Sequence, residues 1–344
     1  MLAFFILFSC SIIKNNEEDS SADDTLQPTP VMVYYQGELL NIFFHPVIAW
    51  PEITFNGNMK KHFMEWFVTA DEFKKILYEL YTNDYVLVDV NETYNVIHLD
   101  GKKTVKGQKV LIPEGKKPVV LSIDDLNYYQ YMRENGIVHK LVLDGKGEIA
   151  AWVGDGELSY DLDIITILED FIKQYPGFSI RGARGIIALT GYEGVLGYQT
   201  QRFNNPVYQA ETEKAVVVVN KLKKLGWRFA SHSFTHWNLP DITMERFIFD
   251  TDRWDFEVRP ILGDTDLYMY PFGAGVEDHK EKHDVLRKRN FNLFFGVGYG
   301  YYEAQEYIHI NRLNIDGRYF RRYRNHPDRL FDIDKVIDRE RPAK

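Results

Sequence analysis

The chain has 344 residues, enough to bury one large core, or one core with a modest appendage. Acidic residues outnumber basic ones 50 to 41, for a net charge of −9, and no basic run is interleaved with aromatics. That balance argues against nucleic acid as a partner, and a single cysteine, Cys10, excludes any internal disulfide.

At the N-terminus, Leu2-Ala-Phe-Phe-Ile-Leu-Phe-Ser-Cys10 is apolar but too short to span a bilayer as a stable helix. It suits the apolar core of a secretion signal, and Leu7-Phe-Ser-Cys10 resembles the lipobox of bacterial lipoproteins. Residues 11–30 are polar, acidic and Pro-terminated, as expected of a flexible tether. The expectation is an exported protein, held on the outer face of a bacterial cytoplasmic membrane through an acylated Cys10, or secreted.

Residues 31–117 read as an N-terminal α/β extension packing on the domain that follows. It contains the apolar segment Asn41-Ile-Phe-Phe-His-Pro-Val-Ile-Ala-Trp50. A helix is predicted over 69–82, with Thr69 as cap and Phe73, Ile76, Leu77 and Leu80 as its apolar stripe. The strand Tyr85-Val-Leu-Val-Asp-Val90 follows, and Val110-Leu-Ile-Pro113 leads into the next part of the chain.

From residue 118 strands and helices alternate. Pro118-Val-Val-Leu-Ser-Ile123 is an apolar run typical of a buried parallel strand. A short helix from Tyr128 stops at Gly136, and Lys140-Leu-Val-Leu-Asp144 is a strand turning at Gly145-Lys-Gly147. Helices follow over 161–175, 211–225, 243–256 and 280–289. Strands fall at 185–190, 227–231, 267–270, 292–297 and 308–315. About seven strand–helix steps predict an α/β fold, a distorted (β/α) barrel over 118–344, although the alternation also permits an open doubly wound sheet. No glycine-rich dinucleotide fingerprint or P-loop follows any strand.

The chemistry concentrates at two strand ends, where such folds place their sites. In His232-Ser-Phe-Thr-His236 two imidazoles lie four residues apart, a spacing that puts both on one face of a helical turn and within reach of one cation. One carboxylate of Asp124-Asp125 would complete a three-ligand set with an open position, and the other is free to act as a base. Zinc peptidases carry a Glu directly after the first His of such a pair; Ser233 stands there, so a base must come from elsewhere. Two His and one carboxylate suit zinc, with cobalt, nickel or manganese as substitutes.

The order Asp124-Asp125, His232-Ser-x-x-His236 and Tyr270-Pro-Phe-Gly273 resembles the polysaccharide deacetylases (carbohydrate esterase family four, the NodB-homology domain) over about residues 117–317. The resemblance implies one divalent metal and removal of N- or O-acetyl groups from a glycan, so an acetylated polysaccharide is the expected partner. By position Asp124 matches the general base, Asp125, His232 and His236 the metal ligands, and Pro271-Phe272 the segment whose backbone N–H helps hold the oxyanion. Three departures stand out. The usual Thr-Phe-Asp-Asp-Gly is Ser122-Ile-Asp-Asp-Leu126, followed by Asn127-Tyr-Tyr129. The Arg that usually lies two residues before the Pro is Met269. The late His that acts as general acid has no clear match, His309 being the nearest candidate, with Arg312 a source of charge nearby. Two further classes fit parts of the pattern: a non-catalytic metal- and glycan-binding protein on the same barrel, and a non-haem iron oxygenase, which also uses two His and a carboxylate. Long strand–helix alternation argues against the oxygenase. Nothing in the sequence sets an oligomeric state.

Overall fold

The computed structural model describes residues 30–342 apart from 202, 203 and 205; Cys10, with the segments read above as a lipobox and as a tether, lies outside the described residues, up to residue 29. By its contacts the chain divides at residue 31, and Met32–Lys344 is one compact body. Seven parallel strands close on themselves in sequence order: β1 Leu40–Phe44, β2 Lys117–Asp124, β3 Ile186–Leu189, β4 Arg228–Ser231, β5 Leu267–Met269, β6 Leu293–Val297 and β7 Ile308–Asn314. The last joint, Leu313 opposite Ile42 and Asn314 opposite Phe43, completes the ring.

Alternation along each strand sorts side chains into two cores. Val120, Ile186, Ala188, Ala230, Leu267, Met269, Leu293, Phe295, Ile308 and Ile310 fill the barrel, and Val86, Val88, Val105 and Ile112 close its floor. Their neighbours Ile42, Phe44, Leu121, Ile123, Ile187, Leu189 and Phe294 face outward into a larger layer shared with the helices. The helix Ala70–Thr82 starts as the sequence predicts: Thr69 Oγ1 accepts from the Glu72 amide at 3.1 Å, and the Glu72 carboxylate accepts from the Thr69 amide at 2.8 Å. Ile164–Gln174, Tyr208–Leu225, Met244–Glu257 and Lys280–Lys288 are the other long helices around the ring.

Two expectations change. The strand predicted at Lys140 forms (Lys140–Leu143) but is no stave: it pairs antiparallel with Ile149–Gly154, because the Gly145-Lys-Gly147 turn sends the chain straight back as a hairpin. The boundary at residue 118 also cuts through the sheet, since β1, inside the segment read as an extension, pairs with both β2 and β7. Among the described residues no helix is long and apolar enough to cross a membrane.

Candidate metal and catalytic site

The site lies at the C-terminal mouth of the barrel. Asp125 follows β2, and His232 follows β4 directly; with His236 they bring one ligand atom each to within 4.8 Å of one another. His236 Nε2 is 3.6 Å from Asp125 Oδ2, and His232 Nε2 is 3.9 Å from Oδ1. The Met269 carbonyl, 2.8 Å from His232 Nδ1, can only accept, so Nδ1 carries a hydrogen and Nε2 is the ring nitrogen turned toward Asp125. Tyr129 donates to Asp125 Oδ1 at 2.7 Å and sits 2.6 Å from Thr190 Oγ1; burial and the neighbouring carboxylate keep its hydroxyl protonated. Burial pushes His236 below the ordinary imidazole range, even with Asp125 beside it. A neutral imidazole offers a lone pair, so this donor set fits a divalent cation.

The His pair does not ride on a helical turn. Residues 232–236 form an irregular loop, with Ser233 and His236 at φ 58° and 57°. Asp250, on the helix Met244–Glu257, accepts from the Phe234 and Thr235 amides at 2.9 and 2.7 Å, and Ser233 Oγ accepts from the His236 amide at 3.0 Å. Those amides thus find partners outside any helical ladder, and the loop instead sets the rings 4.9 Å apart. The loop after Asp125 is clipped in a similar way: the buried Asn127 amide bonds the Thr190 carbonyl at 2.9 Å and accepts from the Thr190 amide at 3.1 Å.

Asp124 is buried in a different setting. Arg312, 1% exposed, donates to it through both terminal nitrogens at 2.7 and 2.9 Å. The same guanidinium donates to Ser122 Oγ at 2.9 Å, touches Met269 Sδ at 3.0 Å and lies 4.4 Å from the Phe43 ring centre. Burial alone would raise the Asp124 carboxyl, but Arg312 and His232 outweigh it and hold it below the usual range. Arg312 thus reaches Asp124 from β7, across the sulfur of Met269.

Pro271–Gly273 forms a tight turn with Phe272 at φ 59°. The Phe272 ring is 68% exposed and edge-on to His236 at 4.6 Å, so this loop reaches the site as predicted by position. On the opposite rim Tyr192 stacks on Tyr129 at 4.9 Å.

His309 lies elsewhere. It is one residue out of phase with Ile308, Ile310 and Arg312 and points into the outer layer. There its Nδ1 bonds Glu277 at 2.5 Å, its Nε2 bonds Asn311 at 3.0 Å, and its ring stacks near Tyr270. A histidine that the sequence reading passed over is better placed. His45 follows β1 in phase with Phe43, the residue beneath Arg312, and lies near both Asp124 and Asp125. The Trp66 carbonyl, 3.0 Å away, accepts from its Nδ1 and leaves Nε2 free for the mouth. Its signal in the sequence was position alone: a lone polar residue at the end of an apolar strand.

No family model matches the chain, and no curated protein matches it in sequence. Among solved structures the chain is similar to the Streptococcus pyogenes deacetylase PplD in complex with acetate (17% identity, 84% of this chain, 94% of that chain, TM-score 0.44). It is also similar to BC0361, a polysaccharide deacetylase from Bacillus cereus (12%, 87% and 69%, TM-score 0.46). A third similar structure is the de-N-acetylase from Aggregatibacter actinomycetemcomitans (15%, 81% and 95%, TM-score 0.44).

Proposed function

We propose that this chain is a metal-dependent hydrolase that removes N- or O-linked acetyl groups from a cell-envelope or extracellular polysaccharide. The observation that carries the proposal is the meeting, at one barrel mouth, of a His/His/Asp donor set with a second carboxylate held ionised by a buried arginine. Asp125, His232 and His236 would hold the cation, and zinc fits them best. When bound, a divalent cation supplies Lewis acidity, polarising the acetyl carbonyl and making water a stronger acid.

The remaining work falls to the protein's own side chains. Asp124, ionised by Arg312, accepts the proton of the attacking water. Arg312 also fixes the direction of the carboxylate, because a bidentate pair has one geometry. The backbone N–H of Phe272 holds the developing oxyanion, a contact whose loss costs about 3 kcal/mol. His45, with Nδ1 anchored on Trp66, relays through Nε2 to the departing nitrogen or oxygen the proton that Asp124 takes from water. Met269 and the lack of a late histidine favour a binding-only protein; Arg312 and His45 answer both within this mechanism. Acylation of Cys10 would tether the enzyme to the membrane beside its substrate.

The test is acetate release from a panel of acetylated glycans, with metal content measured on the same sample. Release should fall by roughly two powers of ten in His45→Asn. Wild-type release by His45→Asn removes His45 from the mechanism; no acetate from any glycan in the wild type removes the hydrolase.

A further inference from the structure

The barrel is not stitched along its whole height. β7 meets β1 only through Leu313 and Asn314, near the mouth, while Ile308–Ile310 pair antiparallel with the short strand Tyr301–Glu303. Below that joint the seam opens into a cleft of about 800 Å³. Its lining includes Lys117 and Pro118, at the start of β2, and Leu40 and Asn41, at the start of β1. The eight residues of β2, at about 3.3 Å each, put roughly 25 Å between the cleft's lower end at Lys117 and the metal ligands, while its upper end reaches Asn311 and Leu313, on either side of Arg312. Neither Asp124 nor any of the three candidate metal ligands lines the cleft.

Five tyrosines line it: Tyr35, Tyr85, Tyr94, Tyr299 and Tyr301. Three have tethered hydroxyls. Tyr94 bonds both oxygens of Asp266 at 2.9 and 2.8 Å, Tyr301 bonds Glu303 at 2.8 Å, and Tyr299 bonds the Tyr323 hydroxyl at 2.5 Å. Tethering fixes ring planes before any ligand arrives, which lowers the entropy cost of stacking on them. Tyr299 and Tyr301 nevertheless remain 66% and 57% exposed. The charges at the cleft, Glu38 and Glu303 against Lys109 and Lys117, balance, which disfavours a polyanion. Asn41 also lines the cleft, and its side-chain carbonyl is buried with no hydrogen-bond partner, an acceptor awaiting a donor.

We infer that this seam is a second, non-catalytic binding site for an uncharged glycan chain, stacked on the fixed tyrosine rings with a hydroxyl or N-acetyl N–H donated to Asn41. The choice of a glycan rests on the proposed function. Sugars present C–H faces to aromatic rings and hydroxyls to amides and carboxylates, and a cleft of this volume is of a size that holds small ligands. A remote site of this kind would keep the polymer on the enzyme between cleavage events.

The experiment is calorimetric titration of the whole protein with a hexamer of N-acetylglucosamine, a dextran oligomer and a heparin oligosaccharide. The protein is stripped of metal and carries His232→Ala/His236→Ala, so the mouth is disabled. An uncharged oligomer is expected to bind, with affinity falling roughly three- to tenfold for each of Tyr299→Ala and Tyr301→Ala. Tyr299→Phe, which keeps the ring but loses the tether to Tyr323, should bind more weakly than the parent yet more tightly than Tyr299→Ala, and guards against a folding defect. Binding by none of the three, preference for heparin, or indifference to both Ala substitutions overturns the inference. Acetate release by the metal-loaded wild type is scored separately: its failure with cleft binding intact removes the hydrolase alone.

Discussion

Two carboxylate–base pairs sit three residues apart on β7 and lead separate lives. Arg312 faces the barrel interior and grips Asp124 with side chains 1% and 5% exposed, while His309 faces the outer layer and grips Glu277 at 18% and 21%. Strand parity alone decides which belongs to the site. The lesson is that a short distance along a strand says little about function, whereas the side of the sheet says a great deal. The inner pair joins β7 to β2 and, through Met269 and Phe43, to β5 and β1. The outer pair fastens the loop after Phe272 to β7.

Substitutions at the mouth should separate the two faces. The largest effect belongs to the metal ligands: His232→Ala or Asp125→Ala should lose most bound metal and all measurable acetate release, with circular dichroism unchanged because both residues lie at strand ends. Full metal occupancy in His232→Ala/His236→Ala would falsify the ligand assignment. Next comes Asp124→Asn, expected to retain metal yet lose roughly two to four powers of ten in turnover. Equal loss of metal from Asp124→Asn and Asp125→Asn would erase the division of labour between these neighbours.

Arg312→Met ranks third. It strands a buried carboxylate, so chemical denaturation should show a loss of about 3–5 kcal/mol, largely recovered when Asp124→Leu is added. No recovery in the double variant means that Arg312 acts through packing on Phe43 rather than through charge. The smallest effect is expected on the outer face, where His309→Gln should leave metal content and turnover within about twofold.

That outer pair has its own pH signature. Burial works to lower the His309 pKa, but Glu277 and Asn311 prevail and raise it above the ordinary value of 6.5. A raised basic group adds stability below its unfolded pKa and loses it as pH climbs through the folded value. Glu277, held low by His309 against burial, keeps its contribution until the solution becomes acidic enough to protonate it. Thermal unfolding should therefore separate wild type from His309→Gln most in mildly acidic solution and least above neutrality. A gap that widens with rising pH reverses the sign and breaks the comparison.

The same parity explains how much could be read from the sequence. Asp124, Asp125, His232 and His236 announced themselves because each ends or follows an apolar strand, and strand ends are where an α/β barrel exposes chemistry. Arg312 and His309 were named together as sources of acid or charge. The alternation Ile308-His-Ile-Asn-Arg312 already separates them once the strand is known to line a barrel. His45 and the closing role of β1 were out of reach, since a strand near residue 40 becomes a neighbour of residues 119–123 and 313–314 only when the ring closes. The hairpin at Lys140 was misplaced for a related reason: four apolar-rich residues look alike in a barrel stave and in a hairpin.

Five residues around the mouth, Asp125, Tyr128, Ser233, His236 and Phe272, hold φ between 54° and 60° without being glycine. Each is a left-handed position that costs an L residue on the order of 1 kcal/mol or more, which glycine would not incur. At 233 the side chain offsets part of that cost, since Ser233 Oγ accepts from the His236 amide and braces the loop that carries both imidazoles. Ser233→Gly should therefore raise the melting temperature yet loosen the His232–His236 loop and its hold on metal.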